Sequence, residues 1–295
     1  MARRRSQAPI GASLIVLSSF FYASYGVWTK LMGNFFGGYT ASALRSVLVV
    51  IILLPIALLY RQLEPIKWRV NWKYILGFLV SALFIWGPLY YAILHAGVGL
   101  ALAVNYASIV IGSFFFGALL AGEKFTRDKL LSATLGIIGL FLVFAPNMSS
   151  FGGIGLLAAA LSGLAGAANL VMAKQIRYGA TQATLTAWVT SIAANVFMAY
   201  VFSETYPQLG WQVEWFYLVV FAIASIAASW LAVKGVKLID AGVAGILGLV
   251  EIVFGVMIGY VFFGERFGAI VLLGMLIIII AASVPYTKEY LKQRA

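Results

Sequence analysis

Cysteine is absent from the 295 residues, so no disulfide and no thiolate metal site can form. A single histidine, His95, cannot build a multi-histidine metal centre. Acidic residues are scarce, nine against 20 basic ones. No G-x-x-x-x-G-K-S/T phosphate loop occurs, so this chain does not hydrolyse ATP by that route. These shortages leave no nucleophile–base pair to assemble, and the chain reads as a non-enzyme with no catalytic residue, no metal and no cofactor. The net charge of +11 invites a nucleic-acid partner. The basic residues argue otherwise, because they lie in short clusters between apolar runs, the pattern of membrane topology signals.

What is abundant is apolar. Hydrophobic residues make up 63% of the chain against 10% charged, and mean hydropathy is +1.01, far from the balance of a soluble domain. Ten apolar segments stand out, at about 10–31, 39–60, 73–95, 98–121, 128–146, 153–175, 182–202, 214–236, 241–263 and 268–286. A helix of about 20 such residues crosses roughly 30 Å of hydrocarbon. A β-barrel would need alternating polarity, which runs such as Leu272–Ala282 lack. Arg3, Arg4 and Arg5 precede the first run as they would in a signal peptide. No A-x-A-like cleavage site follows and the run reaches Leu31, so it reads as the first membrane helix.

The basic residues orient the chain. With the N-terminus in the cytoplasm, the inner segments hold Arg3–Arg5; Arg61, Lys67, Arg69 and Lys73; Lys124, Arg127 and Lys129; Lys174 and Arg177; Lys234 and Lys237; and Lys288, Lys292 and Arg294. The outer segments hold only Arg266, while Lys30 and Arg45 fall inside spans towards their outer ends. This bias predicts ten crossings with both termini cytoplasmic.

The chain also repeats itself. Ala96-Gly97-Val98 before the fourth span matches Ala241-Gly242-Val243 at the ninth, and Gly122-Glu123-Lys124-Phe125 matches Gly264-Glu265-Arg266-Phe267. Ala145-Pro146 and Val284-Pro285 close the fifth and tenth spans, and Lys30 corresponds to Lys174. The expected architecture is an all-α integral membrane protein, one membrane domain of two five-helix halves, 1–148 and 149–295. Five is odd, so the second half enters the membrane inverted. Inverted repeats commonly carry a substrate site near the midplane between the halves.

In these motifs the chain resembles the drug/metabolite transporter superfamily, in its ten-helix EamA-type branch. The resemblance rests on the two halves, the Gly-Glu-basic ends, Arg45 early in the second span and Glu251 in the ninth. Family members often place proline after that glutamate; this chain has Ile252 there and lacks the usual proline near Val110. The resemblance implies export or uptake of small metabolites such as amino acids, purines, choline-like amines or drugs.

Glu251 is the most informative candidate, the only charge in the stretch from Gly242 to Phe263. A charge near the midplane costs about 2.5–3.5 kcal/mol on insertion scales. Low dielectric disfavours the charged carboxyl, which suits proton exchange or cation binding; the alternative is a structural pair with Arg45 or a hydrogen bond to a neighbouring helix. Arg45 could hold a substrate carboxylate or reach outward to the interface. Tyr22, Tyr25, Trp86, Asn105 and Tyr106 fall within about 8 Å of the depth of Glu251 by helical rise. Trp86 and Tyr106 read as cavity walls, and Asn105 equally as helix packing. Tyr90, Tyr91, Trp188, Trp211, Trp215 and Trp230 read as interface-belt or packing residues. Pro88 is a candidate hinge, and Gly255-x-x-x-Gly259 a packing face within the subunit. Lys30 and Lys174 read as topological residues.

The leading expectation is a secondary transporter of the cytoplasmic (inner) membrane. It would move a small molecule such as an amino acid by alternating access, outward, with protons as the candidate coupling ion. The main variant is proton-coupled uptake of a choline-like organic cation. Readings of another class are a lipid-carrier flippase component and a non-transport membrane subunit. Expected partners are the substrate and the bilayer, with the protein a monomer or homodimer.

Overall fold

The computed structural model describes residues 2–65, 68–147, 153–176, 178–204, 210 and 212–294. Side chains of residues 2–6, 68–70, 147 and 286–294 fall outside that description. Trp211, Lys67 and Arg177, together with the side chains of Arg3, Arg4, Arg5, Arg69, Lys288, Lys292 and Arg294, therefore lie beyond what is described.

Among the described residues there is no strand. Twelve helices follow one another: α1 (Ala2–Ala23), α2 (Tyr25–Met32), α3 (Gly38–Leu59), α4 (Trp68–Ala96), α5 (Val98–Ala121), α6 (Arg127–Phe144), α7 (Gly153–Gln175), α8 (Ala180–Val201), α9 (Val213–Val236), α10 (Ala241–Gly248), α11 (Val250–Phe263) and α12 (Ala269–Arg294). Eight spans, counting α1–α2 and α10–α11 as one each, are long and apolar enough to cross a membrane. A shorter apolar helix, Ala269–Pro285, lies within α12. The chain is a multi-pass membrane protein, and side chains such as Ile51, Leu119, Phe197, Val261 and Phe262 present the apolar exterior that lipid requires.

Two spans are broken, each for a local reason. At Ser24 the hydroxyl donates back to the carbonyl of Phe21 at 2.6 Å and accepts the indole N–H of Trp28 at 3.2 Å, a side-chain bond that competes with the helical ladder. At Leu249 the ladder tightens, with Leu249 N–H bonding Ile246 O at 3.1 Å instead of the carbonyl four residues back. No proline is involved; Gly248 precedes the break. α5 runs unbroken. The second break matters because it puts Glu251 in the first turn of α11, at a half-helix N-terminus whose dipole favours negative charge.

Helix ends recur in matched form. α5 and α11 both end on a left-handed glycine, Gly122 (φ 65°) and Gly264 (φ 63°). In each case the next residue bonds back across the cap, Glu123 N–H to Gly117 O at 3.0 Å and Glu265 N–H to Gly259 O at 3.2 Å. α3 and α8 end on Arg61 (φ 50°) and Ser203 (φ 49°), with Gln62 N–H to Ala57 O at 2.8 Å and Glu204 N–H to Ala199 O at 3.0 Å.

Packing relies on small residues, as expected where lipid supplies no hydrophobic drive between helices. α6 lies on α12 so closely that a Cβ on Gly139 would meet Gly274 O at 2.7 Å and Ile278 N at 3.0 Å. Backbone atoms cannot move aside, so Gly139→Val is expected to destabilise the fold by about 1–3 kcal/mol. A lowered melting temperature in detergent checks this. Gly255→Ala, where nothing lies within 4 Å, serves as the neutral control. The Gly255-x-x-x-Gly259 face is accordingly not a helix–helix contact in this subunit. Gly255 faces open space, and a Cβ on Gly259 would meet Glu265 Oε2 at 2.5 Å.

Candidate functional site

Glu251, Tyr106, Tyr22, Tyr25, Arg45 and Trp86 come together from α11, α5, α1, α2, α3 and α4. The Tyr106 hydroxyl donates to Glu251 Oε1 at 2.6 Å, a contact that joins α5 to α11. Tyr22 lies two residues before the Ser24 break. Its ring centre is 5.2 Å from that of Tyr25, and Tyr25 in turn meets Trp86 at 6.5 Å and Phe221 at 4.7 Å.

Arg45 does not reach outward along α3. Its side chain turns inward and the residue is only 3% exposed. The guanidinium carbon lies 4.3 Å from the ring centre of Phe221, 5.1 Å from Tyr25, 5.2 Å from Trp188 and 5.3 Å from Trp86. Aromatic faces attract a desolvated cation at such distances. Among the described residues Arg45 Nε nevertheless has no hydrogen-bond partner. Among the described residues three ion pairs form, and neither Arg45 nor Glu251 belongs to any of them. Of the two structural alternatives for Glu251, the pair with Arg45 does not form and the hydrogen bond to a neighbouring helix does, through Tyr106.

Asn105 is helix glue rather than part of this cluster. Its amide donates to Ser162 Oγ at 2.9 Å and to Ala159 O at 3.4 Å, tying α5 to α7. Ser162 extends the tie to α4 by donating to Ile85 O at 2.5 Å. Pro88 leaves α4 continuous. The carbonyls beside it are used by neighbours, Ile85 O by Ser162 and Gly87 O by the Tyr39 hydroxyl at 3.1 Å.

Sequence reading missed several participants. Trp188, read as a belt or packing residue, is 5% exposed and forms a wall of the Arg45 enclosure, its indole fixed by Ser229 Oγ at 3.0 Å. Phe221 was indistinguishable from any apolar residue of α9. Glu204 lies where α8 ends and takes the free N–H groups that open α3, Tyr39 N at 3.1 Å and Thr40 N at 2.8 Å. It borders a cavity of about 420 Å³ with Asn34, Phe36, Tyr90 and Ser203. Lys30 and Lys174, expected as topological, both hold glutamates: Glu265 at 2.9 Å and Glu123 at 2.6 Å.

The EamA-like transporter family matches this chain twice, over residues 9–145 and 153–286. The chain belongs to the EamA-like transporter family. A relative from Archaeoglobus fulgidus, described as an uncharacterized transporter, is 26% identical over 168 residues. That alignment covers 54% of this chain and 60% of the relative, less than two thirds of its length. A solved crystal structure superposes with a TM-score of 0.76 at 17% identity, covering 94% of this chain and 96% of the other. At that identity the likeness concerns the fold alone. The matched residues include both Arg45 and Glu251.

Proposed function

We propose that this EamA-family protein is a secondary transporter that exports a small metabolite, such as an amino acid, across the cytoplasmic membrane by alternating access. The carrying observation is the central cluster. A carboxyl held by Tyr106 and a guanidinium walled by Tyr25, Trp86, Trp188 and Phe221 are not paired with each other, and among the described residues Arg45 Nε has no partner. Buried polar groups normally find partners. A substrate with an anionic group and an apolar or aromatic body would supply one to Arg45 and stack on Tyr25, Trp86 and Trp188. Glu251, linked to the first half through Tyr106, would exchange a proton as the site turns over.

The architecture proposed for this work is ten crossings in two inverted five-helix halves, 1–148 and 149–295, with both termini cytoplasmic. The paired family matches, the paired helix ends and the bias of basic residues support it. A simple organic cation suits the cluster poorly, since Arg45 would repel it. A lateral cleft would favour lipid movement. The apolar groove of about 640 Å³ on the surface, however, is lined by Val189, Ile192, Ala193, Val196, Phe197 and Tyr200, all of α8. A groove on one helix is an ordinary lipid-facing surface.

A thermal-shift screen of amino acids, nucleobases, sugars and quaternary amines tests this reading, followed by flux in liposomes with and without a proton gradient. Stabilisation by a carboxylate-bearing metabolite that the liposomes also transport is expected. Stabilisation by quaternary amines alone would sink the anionic-substrate assignment.

A further inference from the structure

Glu123 and Glu265 follow matched glycine caps at the ends of α5 and α11, and each carboxylate folds back over a matched glycine. A Cβ on Gly117 would meet Glu123 Oε2 at 2.7 Å, and one on Gly259 would meet Glu265 Oε2 at 2.5 Å. The local construction is the same; the partners are not. Glu123 accepts from Ala241 N at 2.9 and 2.8 Å and from Gly242 N at 3.4 Å, so it caps the N-terminus of α10. Asp240, the residue placed to cap α10 locally, makes no such bond and instead pairs with Lys129. The cap thus comes from the other half of the chain. Lys174 completes it, bonding both Glu123 Oε1 and Ile239 O at 2.6 Å. This end is closed: the two side chains are only 12% and 9% exposed.

Glu265 stands at the other end of the α10–α11 span. The segment equivalent to Ala241-Gly242 is Ala96-Gly97, at the start of α5, and among the described residues no side chain caps that helix start. Glu265 instead holds Lys30, which lies 4.1 Å above the Phe263 ring, and the pair is 52% and 45% exposed. At one end the carboxylate–lysine pair caps a helix start; at the other the matching pair forms but caps none.

We propose that Glu123 and Glu265 are alternating latches. In the state seen here Glu123 closes the inner end by capping α10. In the opposite state Glu265 swings onto the uncapped N-terminus of α5, with Lys30 in the role of Lys174, and Glu123 releases α10. A carboxylate at a helix N-terminus is attracted both by free N–H groups and by the helix dipole, and losing such a cap shifts a two-state population by roughly tenfold. This inference rests on the proposed transport reading, in its inverted-repeat and orientation parts.

The chain's lack of cysteine makes the test direct. Spin labels are placed at Lys124→Cys and Lys234→Cys for the inner end, and at Val98→Cys and Arg266→Cys for the outer end, and distances are measured in nanodiscs without substrate. Glu123→Ala is expected to lengthen the inner distance and shorten the outer one in a roughly tenfold larger share of molecules. Glu123→Gln, which keeps the shape, should do so to a smaller extent. Adding Glu265→Ala to Glu123→Ala should abolish the outer shortening while the inner lengthening persists. Folded Glu123 variants with unchanged distances, or outer shortening that survives without Glu265, would overturn the latch. Since no substrate enters the measurement, that failure would leave the transport reading standing for its own flux test.

Discussion

Glu251→Gln is expected to remove the response of flux to a proton gradient while the protein still folds and still binds substrate. Glutamine keeps the size of the side chain and can still accept from the Tyr106 hydroxyl, now 2.6 Å from Oε1. What it loses is the titratable group. The measurement is the ratio of initial flux with and without an imposed gradient in proteoliposomes, which should fall to unity. Tyr106→Phe separates titration from hydrogen bonding. It leaves the carboxyl able to gain and lose a proton but deletes one bond to it, a contact of about 1.5–3 kcal/mol when an ionised group takes part. Flux should therefore drop by about tenfold or more while the gradient ratio stays above unity. A Glu251→Gln protein that still responds fully to the gradient would refute the coupling role, whatever Tyr106→Phe does.

Why Glu251 was legible and its surroundings were not follows from what each depends on. A lone acid in an apolar run stands out because the bilayer makes charge expensive. The helix bounds were legible for the same reason: the predicted segments 98–121 and 153–175 coincide with Val98–Ala121 and Gly153–Gln175. The break at Leu249 left no proline to read; it follows from a single tightened hydrogen bond beside Gly248. Arg45 was legible as a buried charge, but its enclosure was not, because Trp188 and Phe221 reach it from α8 and α9, far away in sequence. Indole is equally suited to an interface belt and to a cavity wall, so only tertiary placement decides. The motif pairs Lys30/Lys174 and Glu123/Glu265 were visible as repeats, whereas their pairing across the halves needed coordinates. Asn105 shows the converse, since its depth matched the site while its amide is spent on Ser162 and Ala159.

Arg45→Met is expected to change stability and binding in opposite directions. Methionine keeps an unbranched apolar stem among Tyr25, Trp86, Trp188 and Phe221 and removes a charge whose Nε has no partner. Replacing a buried ion by a well-packed apolar side chain is often neutral or stabilising by about 1–4 kcal/mol. The lost attraction to the rings, about 0.5–2 kcal/mol taken as one site, works against that gain. The melting temperature should therefore hold or rise slightly in the absence of substrate. Affinity for an anionic substrate should fall steeply, because losing one partner of a desolvated charge pair costs about 2–5 kcal/mol, or roughly 30- to several thousand-fold. Arg45→Ala would lower both quantities, since it also opens a void between the rings, and so cannot distinguish the two roles by itself. A purely structural arginine predicts the reverse for methionine: lower stability with the affinity of folded protein unchanged. Thermal melts and equilibrium binding on one preparation decide between them. A destabilised Arg45→Met protein that binds its substrate as tightly as the wild type would remove Arg45 from the binding site.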